Sequence, residues 1–67
     1  MFNLDNFKIM LLKNNYTFKT LAESLNVSMS SIYRRIKDGG NFTVEEVRVM
    51  VNIFGKEDVF NALFYSL

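Results

Sequence analysis

Apolar positions recur at helical spacing in five successive segments of the 67-residue chain, which predicts one all-α domain of five helices. The first helix is expected from about Leu4 to Lys13, capped by Asn3, with Leu4, Phe7, Met10 and Leu11 on one face and Asn14-Asn15 ending it. The second starts after the cap Thr17 and runs to Leu25, turning Leu21, Ala22 and Leu25 inward. A three-residue turn, Asn26-Val27-Ser28, leads to the third, from Met29 to about Lys37. The fourth opens with Thr43-Val44-Glu45-Glu46, the spacing of a capping box, places Val47, Met50, Val51 and Phe54 on one stripe, and stops at Gly55. The fifth is expected from about Glu57 or Asp58 to the C-terminus, with two acids in its first turn, where the helix dipole favours them.

Composition narrows the setting. There is no proline, and the one flexible-looking break is Asp38-Gly39-Gly40-Asn41, so residues 1–67 read as a single domain. A chain of this size buries only about 60% of the surface its unfolded form exposes. With no cysteine and no histidine it has neither disulfides nor the usual zinc ligands, and good helix packing, self-association or both are the expected reinforcement. No apolar run approaches the roughly 20 residues of a membrane span, and the start Met1-Phe2-Asn3-Leu4-Asp5 lacks the regions of a signal peptide, which points to the cytoplasm. The net charge is +1, but residues 1–41 hold six basic and three acidic groups and residues 42–67 two and four. That split suits a chain with one end turned to phosphate and the other to protein or solvent.

The second and third helices are the informative pair. Two short helices joined by three residues must cross steeply and touch closely near the turn, where only a small residue such as Ala22 fits. Asn26 sits where the backbone reverses, and asparagine is among the few non-glycine residues that tolerate a left-handed conformation. Val27 plugs the corner, Ser28 caps the next helix, and Ile32 and Ile36, four apart, anchor it to the core.

The stretch Phe18-Lys19-Thr20-Leu21-Ala22-Glu23-Ser24-Leu25-Asn26-Val27-Ser28-Met29-Ser30-Ser31-Ile32-Tyr33-Arg34-Arg35-Ile36 resembles the helix-turn-helix of lambda-repressor-like and Cro-like proteins, with Ala22, Val27, Ile32 and Ile36 at the matching positions. The resemblance implies a compact five-helix domain that binds a double-stranded DNA operator, as a small phage Cro or repressor protein does. Its bare 67-residue length suits the smaller, Cro-like type, acting in the nucleoid of a bacterial host. Two positions depart from the family pattern. Asn26 stands where glycine is usual, and Phe18 stands where a phosphate-binding glutamine is common, so that contact would pass to Thr17, Lys19 and the free amides that begin the second helix.

On the third helix Ser30, Tyr33, Arg34 and Lys37 follow i, i+3, i+4, i+7 spacing and form one outer stripe. A helix fits the major groove of B-DNA, which makes Met29, Ser30, Tyr33 and Arg34 the candidate base readers. Arg34 is suited to guanine O6 and N7, and Met29 or the Tyr33 ring to a thymine methyl. Thr17, Lys19, Ser28, Arg35, Lys37 and the amides around Gly40 and Asn41 are the candidate phosphate contacts, which set register rather than sequence choice. The bland alternatives are a solvated basic face for Arg34, Arg35 and Lys37, a Tyr33 ring lying on the protein surface, and a core role for Met29 beside Ile32 and Ile36.

The last segment, Val59, Phe60, Ala62, Leu63, Phe64, Tyr65 and Leu67, leaves almost no polar face. With Val49 and Ile53 from the fourth helix, it predicts an apolar surface for a second copy, formed by Val49, Ile53, Phe60, Leu63, Phe64 and Leu67. Alternatively these residues close the core of a single chain. Catalysis is not expected, since there is no histidine, cysteine or glycine-rich phosphate loop and the acidic pairs sit at helix starts; no cofactor, metal or small-molecule ligand is expected either. The rival to a DNA reader is a protein-binding module, an anti-repressor or antitoxin that uses the apolar surface of the last two helices.

Overall fold

The computed structural model describes residues 1–65, and within them every regular element is helical: α1 (Leu4–Lys13), α2 (Phe18–Leu25), α3 (Met29–Lys37), α4 (Val44–Phe54) and α5 (Lys56–Leu63). Among the described residues no helix is long and apolar enough to cross a membrane. The starts of the first four follow from local chemistry. Asn3, Thr17, Ser28 and Thr43 each hold extended backbone and accept a hydrogen bond from the amide three residues on, which satisfies a donor that the first helical turn leaves orphaned. At Thr17 the box is closed by an unforeseen partner: the Thr20 hydroxyl oxygen accepts from the Thr17 amide at 2.8 Å.

The ends of α1, α2 and α3 share one device. In each, the C-cap or the residue after it is left-handed, at Asn15 and Asn26 (both φ 58°) and at Gly39 (φ 82°). The following amide then reaches back five residues, from Tyr16 to the Leu11 carbonyl (2.8 Å), from Val27 to Ala22 (3.0 Å) and from Gly40 to Arg35 (2.8 Å). The left-handed residue itself donates to the carbonyl three back, at Leu12, Glu23 and Ile36. This is the Schellman termination, which uses up two helix-end carbonyls and sharply redirects the chain. Asparagine serves at two of the three sites because its short polar side chain lowers the cost of a positive φ.

Once the chain is redirected in this way, one core receives every helix. Phe7 and Met10 from α1, Leu21 from α2, Ile32 from α3, Met50 from α4 and Val59 from α5 are all fully buried. Helices α1 and α5 lie antiparallel: the Asn3 amide donates to the Ala62 carbonyl at 2.7 Å, and Lys13 pairs with Asp58 at 3.1 Å at the other end. Gly55 (φ 94°) both ends α4 and begins α5, in a backbone conformation that side-chain-bearing residues rarely adopt.

Three expectations shift. Leu4 sits at the rim, 36% exposed, because Phe7, Met10 and Leu11 already fill the inward arc of α1. Helix α5 begins at Lys56, one residue early, and ends at Leu63 rather than continuing to the C-terminus. Leu63, expected between copies, is 4% exposed within this one chain and belongs to its core together with Val59 and Ala62. Val49 and Ile53 are half-buried against that core.

The α2 termination yields a stability test. Asn26→Ala replaces a residue type that tolerates the left-handed region by one that rarely adopts it, at φ 58°, and is expected to cost about 1 kcal/mol. Asn26→Gly should be neutral or slightly stabilising. Thermal unfolding should separate the two by roughly 4–8 °C, and equal melting temperatures would contradict the strain argument.

Candidate nucleic-acid interface

The outward face of α3 is built by what lies behind it. Ile32 is fully buried and Ile36 half-buried against the core, so Ser30, Tyr33, Arg34 and Lys37 are turned to solvent on the opposite side. Arg34 and Lys37 have no ion-pair partner among the described residues, where the three salt bridges are Lys13–Asp58, Arg35–Glu46 and Arg48–Glu45. Lys19, in the first turn of α2, is likewise exposed and unpaired. Met29 is 38% exposed at the start of α3, on the margin between core and surface.

Arg35 is different from its neighbours. Its Nε donates to Glu46 Oε1 at 2.7 Å, a terminal nitrogen lies 2.7 Å from Glu46 Oε2, and the other donates to the Ser31 carbonyl at 3.2 Å. The two side chains are only 21% and 9% exposed. The same Oε1 accepts the Thr43 amide at 2.9 Å, while Thr43 Oγ1 accepts the Glu46 amide at 3.1 Å. One carboxylate therefore caps α4 and clamps α3 to it in a fork-to-fork pair. Expected as a phosphate contact, Arg35 instead commits each of its three guanidinium nitrogens to Glu46 or the Ser31 carbonyl.

The loop after α3 is corrected for a similar reason. The Gly40 and Asn41 amides, expected to be open to phosphate, both donate to the Arg35 carbonyl, at 2.8 and 3.3 Å. Gly40 has a tighter duty. A Cβ there would collide with the Phe2 ring, which packs across it at φ 78°.

At the helix starts the hydroxyls of Thr17 and Ser28 accept the Thr20 and Ser31 amides, at 3.2 and 3.1 Å, so their oxygens are engaged as caps. Thr17 and Ser28 are exposed on the edge beside Lys19 and Met29. Phe18 packs its ring against Tyr33 with centroids 5.4 Å apart. That contact joins α2 to the outer face of α3. Nothing in the residue spacing announced it, and neither was the second role of Glu46 announced, although a glutamate at the third position of a capping box was legible.

On α5 and at its C-cap, Phe60 and Phe64 are 46% and 58% exposed and meet edge to face at 5.6 Å. With Leu63 in the core and Leu67 outside the described residues, these two aromatics are what the structure exposes of the expected apolar surface on that helix. No protein-family model matches the chain, and no curated protein or solved structure matches it either; the reading of its surface rests on its own residues and geometry.

The clamp has a pH signature. Burial raises the Glu46 carboxyl, but the Arg35 hydrogen bond, the Thr43 amide and the Arg35 charge together outweigh it and hold it below its ordinary value. A group depressed in the folded state adds stability that is complete above its unfolded pKa, about 4.3, and is lost as the pH falls through the lower folded value. Glu46→Gln is therefore expected to be less stable than wild type by about 1.5–3 kcal/mol near neutrality, the range for a hydrogen bond to a charged group. In urea unfolding the gap should narrow below about pH 4; a gap that stays constant into acid would refute the assignment.

Proposed function

We propose that residues 17–37 form a helix-turn-helix and that the chain is a sequence-specific regulator of transcription, of the lambda-repressor-like, Cro-like kind, which inserts α3 into the major groove of double-stranded DNA. One observation carries this reading: the basic residues of α3 divide by role, with Arg35 held in the structure by Glu46 while Arg34 and Lys37 stand free beside Ser30 and Tyr33 on the outer stripe. A merely solvated helix face has no need of that division. The left-handed Asn26 and the closely packed Ala22, 3% exposed, support the same reading from the turn.

In this arrangement Arg34 reads guanine through paired hydrogen bonds to O6 and N7, and Met29, Ser30 and Tyr33 meet the neighbouring base edges. Lys19 and Lys37 neutralise phosphates, helped by the Thr17 and Ser28 hydroxyls and by the Phe18 and Lys19 amides that begin α2. Two copies joined through the exposed Phe60 and Phe64 would set their α3 helices about 34 Å apart, matching successive major-groove faces of a partly palindromic operator. Repression in a bacterial cytoplasm, under control of the protein's own concentration, is the corresponding biology.

The test is binding to duplexes selected from a random-sequence pool, measured across salt. Affinity should fall with a log–log slope of about −0.9 per phosphate neutralised, and Lys37→Ala should reduce that slope by about one contact. Arg34→Ala should cost about 1–3 kcal/mol and relax the preference at one base position. The exposed Phe60–Phe64 pair favours one competing reading, a protein-binding module. Indifference to Arg34→Ala combined with loss of partner binding on Phe64→Asp would replace the DNA reading with that one.

A further inference from the structure

The outer face of α3 is not chemically uniform. Ser30 and Arg34, four apart, make one row, continued by Lys37; Met29 and Tyr33, also four apart, make a second, apolar row beside it. The apolar row lies on the edge nearest the start of α2, because Tyr33 is the residue whose ring rests on Phe18. Behind Phe18 the aromatic contacts continue inward. Phe18 stacks on Phe7 (6.3 Å between centroids, 17° between planes), and Phe7, fully buried, stacks on Phe42 (5.6 Å, 22°) and touches Phe2 (5.5 Å). Tyr33 is thus the exposed end, 52% open, of a column of rings rooted in the core.

A ring held in this way meets a ligand without losing much side-chain freedom, which is the usual cost of recruiting a surface residue to an interface. Its hydroxyl has no hydrogen-bond partner among the described residues, so the ring's placement comes from packing alone. Among the groups displayed in the major groove the thymine C5-methyl is the apolar one. We infer that Tyr33 is a preset contact for the C5-methyl of a thymine on the edge of α3 nearest the start of α2, and that Phe18 is the positioning residue that holds it there. The inference rests on the DNA-binding reading and deepens it: the two rows divide the work, the methyl going to Met29 and Tyr33 and the guanine edge to Arg34.

Replacing each thymine of a selected duplex in turn by deoxyuridine removes the methyl and nothing else. For the wild-type chain, deoxyuridine at one or two positions per half-site should weaken binding by about fourfold, the worth of one buried methyl. Tyr33→Ser, at an exposed position, should abolish that ratio at one of these positions. Phe18→Leu should at least halve it with the salt slope unchanged, and Phe18→Tyr should restore it; a purely structural Phe18 would weaken binding to thymine and uracil duplexes equally. Should Phe18→Leu fail to fold, Tyr33→Ser still decides the methyl contact. Specific binding with no uracil penalty, or uracil penalties that all survive Tyr33→Ser, overturn this inference and leave the helix-turn-helix reading standing. A ratio unchanged in a folded Phe18→Leu overturns the positioning role. Failure of the wild-type chain to bind any duplex overturns both readings.

Discussion

The pairing of Arg35 with Glu46 is where the local and the global order of this chain meet. Glu46 begins as an ordinary member of a capping box, its carboxylate accepting the Thr43 amide and so finishing the first turn of α4. By accepting the Arg35 guanidinium as well, it fixes the last part of α3 against the start of α4. Each interaction makes the other cheaper. The cap immobilises the carboxylate before the arginine arrives, and the arginine neutralises a charge that is only 9% exposed and would otherwise be expensive to bury. Because three of its donors are taken, Arg35 is withdrawn from the surface, and the free positive charge of α3 narrows to Arg34 and Lys37 on the opposite side.

The course of the chain into and out of α3 is set by three successive left-handed terminations. Asn15, Asn26 and Gly39 each lie within two residues of a helix end and send the next segment back over the core. This economy matters in a 67-residue chain, since long loops would add ordering entropy without adding buried area. It also explains why the loop after α3 offers less to a ligand than its glycines suggest. The Gly40 and Asn41 amides are spent on the Arg35 carbonyl, and Gly40 lacks a side chain because the Phe2 ring occupies that space.

Aromatic packing supplies the remaining link between interior and surface. Phe7 sits among Phe2, Phe18 and Phe42, and through Phe18 the column emerges at Tyr33. Phe18 thus contacts both the buried Phe7 and the exposed Tyr33 of α3, which leaves the phosphate side of the proposed interface to Lys19 and Lys37.

Features governed by neighbours within a few residues were legible in the sequence alone. The caps Asn3, Thr17, Ser28 and Thr43, the stops at Asn14-Asn15 and Gly55, the left-handed turn at Asn26 and the outward stripe of α3 all follow from periodicity and from which side chains satisfy a helix end. Only the tertiary structure decided the fate of side chains that choose between partners far apart in the chain. Arg35 turned to Glu46 instead of solvent, Leu63 went into the core instead of staying at the surface with Phe60 and Phe64, and Tyr33 settled on Phe18. The physical reason is that a helix pattern specifies a face but not what covers it: a guanidinium, a leucine or a phenol at the edge of that face is equally compatible with water or with protein until the neighbouring helices are in place.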